Sequence, residues 1–533
     1  MTLRRYVLLP LLAALPGLAA DDVAERALAL LDRRCFECHS HAAGKNKGGL
    51  VMDASRGLAV GGESGAALVP GKPDESLFIQ RILSTDEDEM MPPKGERLTA
   101  AEVALVKEWV AGGAKWPASR AAKPVSGKYL PGRINDEDRA WCAYRAVVRP
   151  EVPAAALPST GANPVDRFVD ARLAKEGLTP APEAARAALV RRVTFDVTGL
   201  PPTPAEVEAV VKDAAPDAYE RLVDRLLASR GFAERNARVW LDLVRYADSD
   251  GYRADDYRPT AWRYRDYVIR SLHANKPYDR FLQEQVAGDE LFPGDPDALT
   301  GTGFLHHWIY EYNLRDARGQ WTTILNDVTD TVGDALLGAG MQCARCHDHK
   351  FDPILQRDYF ALRAFFSNIL PVEDRIAWTK EEADADAAKR AAWEKKTAAI
   401  REEIRLIEQP YRDNSAKKQV AMFPEDIQAM INKPESERAP LEAQLAALAW
   451  RQVVYDWDRL DRSIKGEKRT QLDALRTKLA EFDAEKPADP PYVIAVREPA
   501  RTASPVTIPK KETPVEPAFL SVLSPTVPAP PAV

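Results

Sequence analysis

At 533 residues and 45% hydrophobic content, the chain is too long for one ordinary core and too apolar to be disordered, so several domains are expected. A net charge of -7 and a pI near 5.7 exclude the concentrated basic surface that nucleic acid requires. Beyond the N-terminus, no apolar run reaches the roughly 20 residues needed to span a bilayer.

The first 20 residues read as an export signal. Arg4 and Arg5 give a charged start, Tyr6 to Ala14 an apolar stretch, and Gly17-Leu18-Ala19-Ala20 a small-residue cleavage region before Asp21-Asp22. Left uncleaved, the segment would serve as an anchor, but it is short and interrupted by Pro10 and Pro16. The expected location is therefore periplasmic or otherwise exported, with no transmembrane span after cleavage.

Residues 22–117 read as a small helical module. A helix over Val23 to Arg34 runs into Cys35-Phe36-Glu37-Cys38-His39, and C-x-x-C-H is the attachment signature of a c-type haem. Cys35 and Cys38 would bind the porphyrin covalently, and His39 would be the proximal iron ligand. A Gly-rich loop over Gly44 to Gly65 suits backbone lying against a flat macrocycle. Ser76 to Leu83 is predicted helical after Pro73. Met90-Met91-Pro92-Pro93 is a stiff loop in which Met91 is the expected distal ligand and Met90 the alternative; His41 is too near His39 to reach the opposite face. Core filling is the bland reading for either methionine. A last helix starts at a capping box, Thr99 with Glu102, carries Val103, Val106, Trp109 and Val110 on one face, and ends at Gly112-Gly113.

The pattern C-x-x-C-H recurs as Cys343-Ala344-Arg345-Cys346-His347, so four of the five cysteines fall in two identical motifs. A second covalent haem c, with Cys343 and Cys346 as attachment sites and His347 as the iron ligand, is the preferred reading. Structural zinc and a Cys343–Cys346 disulfide or redox pair are the alternatives. His306 or His307 is a candidate for the other axial nitrogen, a vacant sixth position stays open, and His349 suits a place beside the iron. The leftover Cys142, between Trp141 and Tyr144, is expected to be a buried small hydrophobe.

Together, Cys35 to His39, Gly48-Gly49-Leu50, Gly61 to Gly65, Val69 to Ser76 and Met91 to Gly95 resemble the planctomycete-type cytochrome c domain. Residues 163–370 are similar to the domain of uncharacterised function that follows it in the same exported multidomain proteins. The residues carrying that resemblance are Arg191 to Pro204, Trp240 to Asp248, Tyr278 to Phe281, Glu284 to Asp289 and Cys343 to Pro353. The stretch from His306 to Gln320 departs from the pattern, so no ligand is carried over there. The resemblance implies a class I cytochrome c-like fold followed by a larger helical domain.

Residues 118–162 read as a Pro- and Ala-rich linker with a short strand within Arg139 to Arg149. Helices follow over Pro164 to Glu176, Ala185 to Val197, from the capping box Thr203-Pro204-Ala205-Glu206, over Tyr219 to Leu227 and over Arg235 to Tyr246. The charged, aromatic stretches Trp240 to Tyr252 and Trp262 to Tyr267 are expected to form solvated or ion-paired helix faces, with a catalytic site as the rival. Residues 378–484 suggest a helical hairpin or coiled coil on the stripes Trp393, Ile400, Ile404, Ile407; Leu441, Leu445, Leu448; and Leu472, Leu475, Leu479, Phe482. Such an element is expected to serve as a spacer or as a surface for a protein partner. Residues 485–533 form a Pro-rich tail in which Pro514 to Leu523 looks like the start of a truncated third domain.

The fold class expected is thus mainly α: a class I cytochrome c-like domain, a larger helical domain and a helical hairpin. The function expected is electron transfer by an exported multihaem cytochrome with redox partner proteins. Two alternatives stand beside it. One is a haem-dependent oxidoreductase with an open second iron and Arg245, Tyr246 and Asp248 around a substrate. The other is a scaffold with one haem and one zinc.

Overall fold

The computed structural model describes residues 16–40, 45–53, 57–58, 61–62, 64–117, 134, 136–154, 157, 163–455, 457–498, 505–509 and 514–523. Most of the expected signal segment, His41 and most of the linker lie outside these residues. Chain contacts divide the protein into two units. The first comprises described residues within Met1–Arg145, Cys346–Leu355 and Ser521–Pro525, and the second those within Ala146–Arg345, Gln356–Leu520 and Thr526–Val533. The fold is mainly α.

In the first unit, helix α1 (Pro16–Arg34) is followed by the paired two-residue strands β1 (His39–Ser40) and β2 (Lys45–Asn46). Helix α2 (Leu77–Leu83) buries Phe78, Ile79 and Ile82, and α3 (Ala100–Ala111) buries Val106, Trp109 and Val110. These side chains pack with Leu28 and Leu31 of α1 into one core. The capping box at Thr99 and Glu102 forms as the sequence predicts, and Gly112 closes the helix. The strand expected within Arg139 to Arg149 is absent. A single helical turn (Asp136–Arg139) and a 3-10 turn (Cys142–Tyr144) occupy its first half. In its second half Val147 is 100% exposed, so no burial favours pairing. Cys142 is exposed, not the buried hydrophobe expected, because the neighbouring Trp141 is itself turned out to solvent.

The second unit begins with α4 (Pro164–Lys175), α5 (Arg186–Thr198), α6 (Pro204–Lys212) and α7 (Ala218–Leu227). Gly199 ends α5 in the left-handed conformation, and the second capping box opens α6, as read from Thr198 to Glu206. Val190, Leu222 and Leu226 make a small core with Val207 and Val210. Helices α8 (Arg230–Leu243), α9 (Trp262–His273), α10 (Tyr278–Leu291) and α11 (Pro296–Gly301) follow. Next come a 3-10 turn (Thr302–His306), α12 (Ala317–Thr331) with a π-helical extension (Val332–Leu336), and α13 (Gln356–Ala364).

Beyond α13, strand β3 (Leu370–Ile376) leads into the 41-residue helix α14 (Lys380–Val420), then α15 (Glu425–Asn432), α16 (Pro440–Val454) and α17 (Glu467–Ala480). Ile400, Ile404 and Ile407 of α14 pack on Leu472, Leu475 and Leu479 of α17. The ion pairs Lys396–Glu485 and Glu408–Arg476 run in opposite chain directions, so the two helices are antiparallel. The stripe Leu441, Leu445, Leu448 lies on α16, which packs against α12, α14 and α15. The proline-rich tail also returns: β4 (Tyr492–Arg497) pairs antiparallel with β3 and buries Val493, Ile494, Ala495 and Val496 in succession. Four consecutive buried residues mean that both faces of this strand are covered.

Candidate functional site

Helix α1 ends in shared carbonyls. The backbone N–H groups of Cys35 and Phe36 both donate to Leu31 O, and those of Cys38 and His39 both donate to Cys35 O. This turn brings Cys35, Cys38 and His39 onto the wall of one cavity of about 370 Å³. Leu50, Met52, Phe78, Ile82, Met91, Pro92 and Pro93 line it too. The proline loop is fastened on both sides. Met91 N donates to Arg81 O at 2.9 Å, and Arg97 Nη2 donates to the carbonyls of Ile82 and Ser84 at 2.6 Å each. Of the two candidate methionines, Met91 faces the cavity, whereas Met90 Sδ accepts from Arg97 Nη1 at 3.6 Å.

Burial sets the chemistry of the attachment residues. It pushes the Cys35 thiol up to about 12 and the His39 imidazole below its ordinary range, although the Leu50 and Lys47 carbonyls pull the latter back. His39 Nδ1 is buried without a hydrogen-bond partner. Gly48 and Gly65 line the cavity at positive φ, and a Cβ added to either would meet no protein atom within 4 Å. Gly61 is constrained differently: its Cβ would lie 1.9 Å from Gly65 O. Backbone, apolar side chains, two thiols, an imidazole and a thioether therefore surround one space, and this donor set fits a haem c. Met52, whose N–H donates to His39 O at 2.7 Å, belongs to the site but was not singled out in the sequence. Only the short apolar run Leu50-Val51-Met52 after the glycines hints at it.

The second motif is set in different surroundings. Cys343 to Arg345 fall in the second unit and Cys346 to Leu355 in the first. Within the second unit, the 3-10 turn Gln342–Arg345 packs on α13, and Arg345 faces Asp330 of α12 at 3.6 Å. Within the first, His347 Nδ1 lies 2.7 Å from Asp348 O. A carbonyl can only accept, so Nδ1 carries the proton and Nε2 keeps the lone pair that a metal would use. His349 is buried, and its Nδ1 accepts from the N–H groups of Phe351 and Asp352 at 3.3 and 2.9 Å. Both thiols, Cys343 and Cys346, are free and exposed. Among the described residues, no group of three or more His, Cys, Asp or Glu side chains is arranged to hold a metal ion.

His306 and His307 are both buried in the second unit. His306 stacks on Trp308 with ring centroids 4.4 Å apart, and His307 meets the edges of Tyr264 and Tyr246 at 4.6 and 5.4 Å. Three of their four ring nitrogens have no hydrogen-bond partner. Burial, reinforced by Arg258, pushes both imidazoles well below their ordinary range. Of the solvated or ion-paired faces expected for the neighbouring charged stretches, the ion-paired form is the one found, and part of it is buried. Tyr264 and Tyr267 are fully buried, and Asp250 holds Arg258 at 2.5 Å and Arg451 of α16 at 3.0 Å. Arg451 also reaches Glu373 of β3 at 2.8 Å.

Of the proposed substrate residues, Tyr246 donates its phenol proton to the exposed Asp248. Arg245, at a φ of 61°, touches Asp327 at 2.9 Å without hydrogen-bond alignment. Burial raises the Asp327 carboxyl and lowers the Arg245 guanidinium, so that pair forms against desolvation. Glu284 and Gln285 were quoted only as part of a pattern, yet both are buried anchors. Glu284 takes Tyr267, Lys276 and Arg280, and Gln285 takes Trp240 and Tyr264.

Comparison with known families agrees with this division of labour. Residues 35–95 match the family described as Planctomycete cytochrome C, and residues 164–370 match the one described as Protein of unknown function (DUF1549). No curated protein and no solved structure matches the chain.

Proposed function

From a chain whose residues 35–95 belong to the Planctomycete cytochrome C family, followed at 164–370 by a DUF1549 domain, we propose an exported electron-transfer protein carrying two covalent haems. The observation that carries this reading is the convergence of Cys35, Cys38, His39 and Met91 on one apolar cavity. Bound there, haem c supplies a one-electron couple whose potential rises with His/Met ligation. The chain's own part is to hold and dry that couple. Arg97 fastens the Met91 loop, Leu50, Phe78 and Ile82 exclude water, and burial keeps His39 neutral as a ligand must be. At the second motif, Cys343 and Cys346 are the attachment residues and His347, with Nε2 unprotonated, the ligand.

The test is a pyridine haemochrome assay with iron and zinc content on protein exported together with the haem-attachment machinery. Two haems and no zinc per chain are expected; one haem with one zinc would replace this reading by the scaffold. A second reading, an oxidoreductase with an open second iron, is favoured by the unpartnered His307 beside Tyr246. A high-spin ferric signal with rapid cyanide binding would select it, and low-spin signatures at both irons would remove it.

A further inference from the structure

Between helices α8, α9 and α10 of the second unit lies a cleft of about 230 Å³ that the haem reading does not use. The rings of Trp240 and Phe281, 5.0 Å apart and tilted by 60°, form its wall. Trp240 is fixed from behind, because its indole Nε1 donates to Gln285 Oε1 at 3.0 Å and to the Tyr264 hydroxyl at 3.3 Å. At the rim, Leu243 is 52% exposed, so the apolar wall continues to the surface. An apolar cavity of about 150 Å³ holds benzene, so this volume suits one aromatic ring and one small substituent.

The polar lining defines that substituent. Lys276 is the one charged residue lining the cleft among the described residues, and it is already neutralised by the Glu284 carboxylate. An anion would find no free cation there. Asn236 uses its Nδ2 on the Phe232 carbonyl of its own helix at 2.9 Å, which leaves its carboxamide oxygen able to accept. Ser271 Oγ, in the lining of the cleft, is buried and makes no hydrogen bond of ordinary geometry. A ligand hydroxyl would give both groups a partner.

We propose that this cleft binds a neutral single-ring phenol, with its ring on Trp240 and Phe281 and its hydroxyl donating to Asn236 Oδ1. The site is independent of either haem. Since the wall is held in place before binding, little ordering cost opposes the ligand.

The full-length protein is titrated with phenol, toluene and benzoate by calorimetry, with ligand-observed NMR in parallel. Saturable phenol binding at one site per chain is expected, with toluene about tenfold weaker because the polar lining stays unpaired, and no measurable benzoate binding. Asn236→Leu should bring phenol down to the toluene level and leave toluene unchanged. Leu243→Trp, at an exposed position, should fill the cleft and abolish both. Cross-relaxation between phenol and an indole ring in the unmodified protein, lost in Leu243→Trp, locates the site without relying on Asn236→Leu folding. Equal affinity for phenol and toluene, benzoate binding, or phenol binding that survives Leu243→Trp would each overturn the proposal.

Discussion

The two C-x-x-C-H motifs share five-residue spacing and almost nothing else. At the first, α1 delivers both cysteines and the histidine onto a cavity whose other walls come from Leu50, Met52, α2 and the Met91 loop. At the second, the approach is a 3-10 turn, both thiols are exposed, and the buried imidazole belongs to His349, not to His347, the proposed ligand. The spacing therefore supplies attachment chemistry, whereas the walls depend on what else the chain brings up. Thiol reactivity follows the same contrast. Thiolate is the nucleophile, and burial pushes the Cys35 thiol up to about 12, which disfavours the reactive form in the closed cavity. Cys343 and Cys346, by contrast, are exposed.

The strongest way to break this comparison is to delete each pair of thiols. Cys35→Ala with Cys38→Ala should remove one haem equivalent and leave the other, and Cys343→Ala with Cys346→Ala should do the reverse. Intact-mass spectrometry of the exported protein reads both losses. Retention of two haems after either deletion would show that the assignment of sites is wrong.

The next largest effect contrasts the unit interiors, one apolar and the other ionic. Arg258→Met would leave the buried Asp250 with Arg451 and the Tyr312 hydroxyl as its remaining partners, and breaking a buried pair of this kind costs up to about 3–5 kcal/mol. Urea unfolding should show this loss in the second unit, while the visible haem spectrum of the first stays unchanged. Met91→Leu probes the first unit instead. Loss of the thioether should lower the haem potential on the order of 0.1 V in a redox titration, and Met90→Leu, whose sulfur contacts Arg97, should leave it in place.

Acid should also separate the two interiors. His306 and His307 have imidazoles depressed by burial, so below about 6.5 the unfolded chain binds protons that the folded one does not. The stability they allow is complete above that pH and is lost as pH falls. Each histidine should contribute a slope of up to about 1.4 kcal/mol per pH unit. Chemical unfolding at pH 7.5, 6.5 and 5.5 (roughly spanning the unfolded value) checks it, and a flat profile would show that these rings titrate normally.

Much of the first site was legible because it is local. C-x-x-C-H, the proline loop and the Thr99 capping box each lie within a few residues, and spacing alone specifies them. The second unit was less legible because its determinants are long-range. Asp250 meets Arg451 across 201 residues and Tyr310 bonds the Leu448 carbonyl across 138, so the ion pairing that helical spacing allows is made with distant, buried partners instead of along one helix face. The β4 strand was hidden for the same reason: Val493 to Val496 sit in a proline-rich tail, and only pairing with β3 and packing on the turn before His307 bury them.

The smallest effect tests whether local signals also control the haem-side loop. Thr99 Oγ1 accepts from Glu102 N, and the Glu102 carboxylate accepts from Thr99 N at 2.8 Å, a bond that holds this acid below its usual range. The cap begins α3 directly after the loop that carries Met91, and Arg34 donates to the Glu96 and Arg97 carbonyls in between. Thr99→Ala should cost about 1 kcal/mol by loss of the cap. Because Arg97 and Arg34 still fasten the loop, the haem potential should not move. A drop in potential matching that of Met91→Leu would mean that the cap, more than the arginines, holds the thioether in place.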